Sequence, residues 1–199
     1  PITVPAMTVD RRCGTSLTAI SLADALIRAG DAQCILTGGA ESDSNRPYVL
    51  MQQRRLHDMA TPVFRGKTML APDEVGNPPM GMTAENLAEI YGITREDCDA
   101  FAVESHRKAV QAWDDGRFRE QILPVTIENV KKGTSVCVDT DDAFRRDCTM
   151  ETLGKLKAVF KPDGVSTAGN SSPNSDGASA VLLMEASMAE RSGCPILGY

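Results

Sequence analysis

The stretch Val9-Asp10-Arg11-Arg12-Cys13-Gly14-Thr15-Ser16-Leu17-Thr18-Ala19-Ile20 decides how the rest of the chain is read. Ahead of it, residues 2–9 are apolar and β-branched at the positions a strand needs. After the polar break Asp10-Arg11-Arg12, residues 13–29 place Ala19, Leu22, Ala23 and Leu26 at the i, i+3, i+4, i+7 spacing of a helix. Ile20 and Ile27 add apolar surface on other sides, which predicts a buried helix. Gly30 is placed to stop it. Residues 33–37 form a short apolar run closed by Gly38-Gly39. The first forty residues thus predict strand–helix–strand, the βαβ unit of a layered α/β fold.

Cys13 stands where that strand ends and the helix begins. The amides of a helix N-terminus carry partial positive charge and favour a thiolate there. Arg11 and Arg12 push the same way if they face the sulfur. Gly14-Thr15-Ser16 are small enough to leave room for a substrate carbonyl and to offer backbone N–H groups to a developing oxyanion. A buried, inert cysteine at a helix start fits the same placement equally well.

From residue 42 to residue 164 the pattern changes. Residues 61–79 read as a long irregular connection, followed by a helix over 83–91. Thr94-Arg95-Glu96-Asp97 resembles a capping box opening a second helix. That helix would carry Cys98, Phe101, Ala102, Ser105, Ala109, Ala112 and Trp113 on one face and end at Gly116. Residues 123–130 and 135–138 predict two short strands, and 150–159 a last helix. Long loops in a compact protein usually have a functional reason, so residues 45–164 read as an inserted loop domain covering a site. Residues 1–44 and 165–199 would supply the core. There, Ala180-Val181-Leu182-Leu183-Met184 predicts a buried strand, with a short helix from Ala186.

Composition narrows the function classes. A hydrophobic share of 42% over 199 residues suffices for a real core. A net charge of −6 gives no global pull toward nucleic acid or an acidic membrane surface. No run is long enough to span a membrane, and no basic leader precedes an apolar stretch. The expectation is a soluble, cytoplasmic protein with no nucleic-acid and no membrane partner. Its six cysteines include no C-x-x-C pair, and His57 and His106 have no second ligand at metal spacing. Neither a zinc site nor a disulfide framework is expected.

The Cys13 stretch is similar to the thiolase nucleophile motif V-[ND]-R-x-C-[SG]-S-G-L-x-A-I. Further resemblances follow in family order. Gly38-Gly39-Ala40-Glu41-Ser42-Asp43-Ser44 resembles G-G-x-E-x-M-S, and Met80-Gly81-Met82-Thr83-Ala84-Glu85-Asn86 resembles M-G-x-T-A-E-N. Ile93-Thr94-Arg95-Glu96-Asp97-Cys98-Asp99 resembles I-[ST]-R-E-x-x-D, and Ser105-His106-Arg107-Lys108-Ala109 follows it in the family manner. Thr167-Ala168-Gly169-Asn170 and Asp176-Gly177-Ala178 complete the set. The resemblance runs along essentially the whole chain.

The resemblance implies a thiolase-like α/β/α/β/α fold, of which this chain would show about half, and a homodimer or homotetramer. It implies acyl transfer from an acyl-CoA to Cys13 with release of coenzyme A, by covalent ping-pong catalysis. A 3-ketoacyl thioester would be cleaved in one direction and two acetyl units condensed in the other. Coenzyme A enters as substrate and product; no separate cofactor and no metal are implied. By the same carry-over, Arg145 would meet the adenine and phosphate end, Leu156 and Phe160 would line the pantetheine channel, Ser172 would hydrogen-bond the pantetheine, and Met80 would flank the thioester pocket. Independently, residues 144–161 hold five basic residues against two acidic ones, a local charge of +3 where an anionic nucleotide tail could settle. A solvated amphipathic helix with Leu156 and Phe160 in its core is the plain alternative.

Three departures bear on this reading. The family's G-H-P, C-x-G and N-E-A-F strings do not occur among the 199 residues. The chain therefore reads as a fragment clipped at both ends and without turnover alone. Thr15-Ser16 stands where the family has Ser-Gly, adding bulk beside the nucleophile. Pro78-Pro79 stands where many biosynthetic members have Tyr-His, leaning away from the short-chain branch. His57 and His106 match no family catalytic histidine and read as structural or surface residues. Asn170-Ser171-Ser172 fits a glycosylation pattern but reads as loop near the site. Rival readings are a thiolase-like acyl-CoA or lipid binder without catalysis, a ketosynthase of the same fold, and a cysteine hydrolase.

Overall fold

The computed structural model describes residues 3–50, 64–65, 70–129, 131 and 133–199. They divide into two compact units, Pro1–Pro72 with Asn174–Tyr199, and Asp73–Pro173.

In the first unit, helix α1 (Thr15–Ala29) ends where Gly30 takes a left-handed conformation, φ 81°, and its N–H returns to the Ile27 and Leu26 carbonyls. This is the glycine stop expected from the sequence. α1 packs against strand β1 (Cys34–Glu41) and strand β6 (Gly177–Met184), which form an antiparallel pair in register from Cys34↔Met184 to Glu41↔Gly177. A two-residue pair, β2 (Val49–Leu50) with β3 (Phe64–Arg65), and helix α5 (Ala186–Ser192) complete the described elements. Tyr48 and Phe64 meet edge to face at 6.3 Å.

Several expectations change here. Residues 3–9 form no strand, because a strand exists through its ladder and they have no ladder partner among the described residues. Among the described residues there is therefore no βαβ unit, and β1 finds its partner in β6, far along the chain and antiparallel. β1 also runs through Gly38-Gly39 instead of stopping there. A Cβ at Gly38 would lie 2.6 Å from the Ser179 carbonyl, so glycine is what lets the two backbones close up. α1 and β6 were expected buried, yet Ala23 is the buried residue of α1, and Val181 and Leu182 are about half exposed. α1 packs on the strand pair with one side, which leaves its remaining apolar positions, such as Leu17, outside.

The second unit holds α2 (Met80–Tyr91), α3 (Arg95–Asp114), the hairpin β4 (Val125–Asn129) with β5 (Thr134–Val138), and the one-and-a-half-turn helix α4 (Met150–Gly154). The predicted capping box is present: the Thr94 hydroxyl accepts from the Asp97 amide at 3.1 Å, and the Asp97 carboxylate accepts from the Thr94 amide at 2.9 Å. The inward face of α3 is rotated from the expected one. Phe101 is 79% exposed, while Asp99, 2% exposed, and Ala102 point inward. The expected helix over 150–159 stops at Gly154, where the Leu153 carbonyl accepts from the Leu156 amide and from Arg95 and no longer serves a helical ladder. Leu156 and Phe160 therefore lie in irregular chain. Within the expected irregular connection 61–79, Phe64–Arg65 is strand and Asp73–Val75 a 3-10 turn. The rest of its first part, like His57, lies outside the described residues.

Candidate functional site

Cys13 is the middle residue of a 3-10 turn, Arg12–Gly14, that leads into α1. Its thiol is exposed. The turn is tied by short-range bonds. The Arg12 amide donates to Asp10 Oδ1 (2.9 Å) and the Arg11 amide to Thr15 Oγ1 (2.8 Å), whose hydroxyl in turn donates to the Arg12 carbonyl (2.7 Å). Arg12 holds φ at 53°, a left-handed value uncommon for a side-chain-bearing residue. The guanidiniums do not bond the sulfur: Arg12 pairs with Asp10 at 3.2 Å and Arg11 reaches Thr18 Oγ1 at 3.4 Å. Ser16, one of the two unusual residues after the nucleophile position, turns its hydroxyl onto β1, where a Cβ at Gly39 would meet Ser16 Oγ at 2.5 Å.

The proposed coenzyme A residues all belong to the second unit. Arg145 is held through its backbone by α3. His106 Nδ1 accepts its amide (3.1 Å), while on either side Phe144 packs on Trp113 at 5.5 Å and Arg146 pairs with Asp114 at 2.7 Å. His106, Trp113 and Asp114 are seven and eight residues apart and so share one face of α3. His106 accordingly holds a loop in place. An Nδ1 that accepts requires the proton on Nε2. In the basic stretch 144–161, Arg146, Lys155 and Lys161 are paired with Asp114, Glu151 and Glu89. Among the described residues, Arg145 and Lys157 have no ion-pair partner.

Phe160 lies over the first turn of α2: a Cβ at Gly81 would clash with the edge of its ring. Met80, next to Gly81, is exposed at the start of α2. Leu156 closes on the loop that carries Gly169, where a Cβ at Gly169 would meet Leu156 Cδ1 and Leu153 Cδ2. Ser172 is exposed two residues after Asn170.

What sequence reasoning missed is the polar lock under these residues. Glu85, 3% exposed, accepts the amides of Val165 (2.9 Å) and Ser166 (2.8 Å). Burial alone pushes its carboxyl up, but those amides, the Ser166 hydroxyl and Lys161 outweigh burial and leave it below the ordinary 4.5. Gly164 is required beside it, since a Cβ there would strike the carboxylate. Asn170 accepts from the Thr167 amide and donates to the Val165 carbonyl and to Asp99 Oδ1, each at 2.8 Å. Its side-chain amide is thus engaged, which leaves the glycosylation pattern without a free acceptor in this fold. Asp99 Oδ2 takes Arg95 Nε at 2.7 Å, and Arg95 also donates from Nη2 to the Leu153 carbonyl (2.6 Å) and from Nη1 to the Leu156 carbonyl (3.2 Å). The partners at residues 165–170 lie about 70 to 80 positions further on, so no local window of sequence marks Glu85 or Asp99 as inward.

A groove of about 440 Å³, lined by Trp113, Phe118, Arg119 and Arg146 among others, includes none of the six predicted site residues. Among the described residues no group of three or more His, Cys, Asp or Glu could hold a metal, and no helix is long and apolar enough to cross a membrane.

Comparison with known proteins identifies the family. The family model described as "Thiolase, N-terminal domain" matches residues 1–187. The acetyl-CoA acetyltransferase of Pseudomonas aeruginosa is 44% identical over 205 aligned positions, covering 99% of this chain and 50% of its own. A Beta-ketoadipyl-CoA thiolase of Acinetobacter baylyi is also 44% identical, covering 92% and 47%. The crystal structure of the Bacillus anthracis acetyl-CoA acetyltransferase superposes with TM-score 0.78 at 37% identity, over 98% of this chain and 49% of that one. Human mitochondrial 3-ketoacyl-CoA thiolase in complex with CoA gives 0.76 at 32%, over 96% and 48%. The chain spans about half the length of the relatives it matches. With its α/β architecture and its run of matching motifs from the Cys13 turn to the Asn170 loop, this chain belongs to the thiolase family.

Proposed function

We propose that the full-length protein carrying this chain transfers acyl groups from coenzyme A thioesters, with Cys13 as nucleophile. The Cys13 thiolate attacks the thioester carbonyl. A sulfur–carbon bond forms to Cys13, the bond to coenzyme A breaks, and coenzyme A leaves as thiolate and takes up a proton. In condensation the acyl group then passes to the α-carbon of a second acetyl thioester, which gives up a proton; in the cleavage direction the thiolate instead attacks the 3-keto carbon, the C2–C3 bond breaks, acetyl-CoA leaves as an enolate that takes up a proton, and the acyl group passes from Cys13 to the sulfur of coenzyme A. The observation that supports this most is an exposed thiol in the turn that opens α1, at the position where the family motif has its nucleophile. Arg145, with no carboxylate partner among the described residues, suits the phosphate end of coenzyme A. Leu156, Phe160 and Met80 suit the pantetheine and thioester, and Ser172 a hydrogen bond to the pantetheine amides. No further cofactor takes part, and the protein works as a cytoplasmic homo-oligomer.

Steady-state kinetics of the full-length protein test this. Parallel-line, ping-pong patterns are expected, with activity in Cys13→Ser lower by at least about a thousandfold. Intersecting lines, or retained activity in that variant, would refute it. Residues 1–199 alone are expected to show no turnover. A second reading, an acyl-CoA or lipid binder without turnover, draws on Ser16, whose side chain stands where the family motif has glycine. It predicts binding of an acyl-CoA with no release of free coenzyme A.

A further inference from the structure

The I-T-R-E-D-C-D stretch is a motif that the acyl-transfer reading does not use, yet two of its charged side chains, Arg95 and Asp99, meet in a little-exposed part of the second unit. Arg95 is the hub. Its Nε pairs with Asp99, its Nη2 reaches the Leu153 carbonyl and its Nη1 the Leu156 carbonyl. Asp99, through its other oxygen, takes the Asn170 amide, and Asn170 fixes the Thr167 amide and Val165 carbonyl. One guanidinium and one carboxylate therefore tie the end of α4 with the residues after it, and the 165–170 loop, to the first turns of α3. A single bridge, Ala158 with Thr167, and the bond from the Val159 amide to the Ser166 carbonyl (3.0 Å) join those segments directly. Lysine could keep the charge pair with Asp99 but could not reach both carbonyls, because only the planar fork has donors diverging from one centre.

We infer that Arg95 and Asp99 are positioning residues for coenzyme A, setting the distance between the Leu153–Leu156 turn and the 165–172 loop on which Leu156 and Ser172 are carried. This rests on the acyl-transfer reading and specifies which internal contacts set its coenzyme A affinity. Neither residue touches substrate; both act through the main chain of residues that do.

The test uses the full-length protein and Arg95→Lys, with Arg107→Lys as control, since Arg107 forms an exposed pair with Glu104 on the same helix. Arg95→Lys is expected to raise the KM and Kd for coenzyme A about tenfold, the loss of one hydrogen bond. The kcat at saturation and the acylation burst at Cys13 stay at the wild-type level, and Arg107→Lys changes none of these. Asp99→Asn, which keeps volume and the bond to Asn170, should move KM in the same direction by less. Unchanged KM in both variants, or a lowered unfolding midpoint with no change in KM, overturns the inference. If neither variant folds, hydrogen exchange of the wild type decides: coenzyme A must slow exchange of the Leu156, Val159, Ser166 and Thr167 amides, and no protection overturns it. A wild type that neither binds coenzyme A nor acylates refutes the acyl-transfer reading itself and this inference with it.

Discussion

The turn at Cys13 and the loop at 164–172 are both irregular, both carry family motifs, and are built in opposite ways. The Cys13 turn is exposed and tied by bonds that span two to four residues, from Asp10, Thr15 and the Arg12 carbonyl. The 164–172 loop contains the fully buried Thr167 and is held by Glu85 and Asp99, about 70 to 80 residues away in sequence. Exposed bonds between near neighbours compete with water and add little stability, whereas a buried carboxylate must keep its partners because losing one leaves a charge or amide without solvent. The comparison teaches that the two kinds of motif have different work. Residues around Cys13 hold an exposed thiol, while the T-A-E-N and T-A-G-N residues hold main chain.

The contrast can be broken most forcefully at Asp99. Asp99→Ala strands the Arg95 charge and the Asn170 amide together, and a loss of about 3 kcal/mol in unfolding free energy is expected, read by denaturant titration. Next is Glu85→Gln, which replaces a double acceptor by a group with one oxygen facing two amides, at a cost of about 2 kcal/mol. It should also flatten the acid limb of stability. The folded carboxyl of Glu85 lies below its ordinary 4.5, so its contribution is present in full above that value and fades as pH falls through the lower, folded value. Wild type should lose stability through that window more steeply than Glu85→Gln. Unfolding midpoints taken from pH 6 downward in roughly half-unit steps check it. A smaller effect sharpens the nucleophile side. Gly39→Ala meets Ser16 Oγ, and Ser16→Gly should relieve it, giving a coupling of about 1 kcal/mol in a double-mutant cycle. The smallest is Asp10→Ala, an exposed partner of Arg12, which should leave the unfolding midpoint where it was.

Helix positions and caps were legible because their signals are local. Gly30 ends α1 and Thr94 caps α3 as a short window of sequence predicts. Strand pairing was not, since the partner of β1 lies about 140 residues on and nothing within residues 33–41 names it. The same reason hid the inward face of α3. Phe101 looks like core by hydrophobicity, but the inward position belongs to Asp99 because Arg95 and Asn170 are there to receive it. The α4 stretch was over-extended for a third reason. Residues 155–159 have acceptable helix propensity, and long-range bonds from Arg95 to the Leu153 and Leu156 carbonyls win over it.

The claim on which this account depends is covalent, and peptide mass spectrometry reads it. The full-length protein, incubated with an isotopically labelled acyl-CoA and quenched in acid, should carry one acyl group on the peptide containing Cys13, with one equivalent of free coenzyme A released. An unmodified Cys13 peptide, or the label on Cys98 or Cys148 instead, would contradict it.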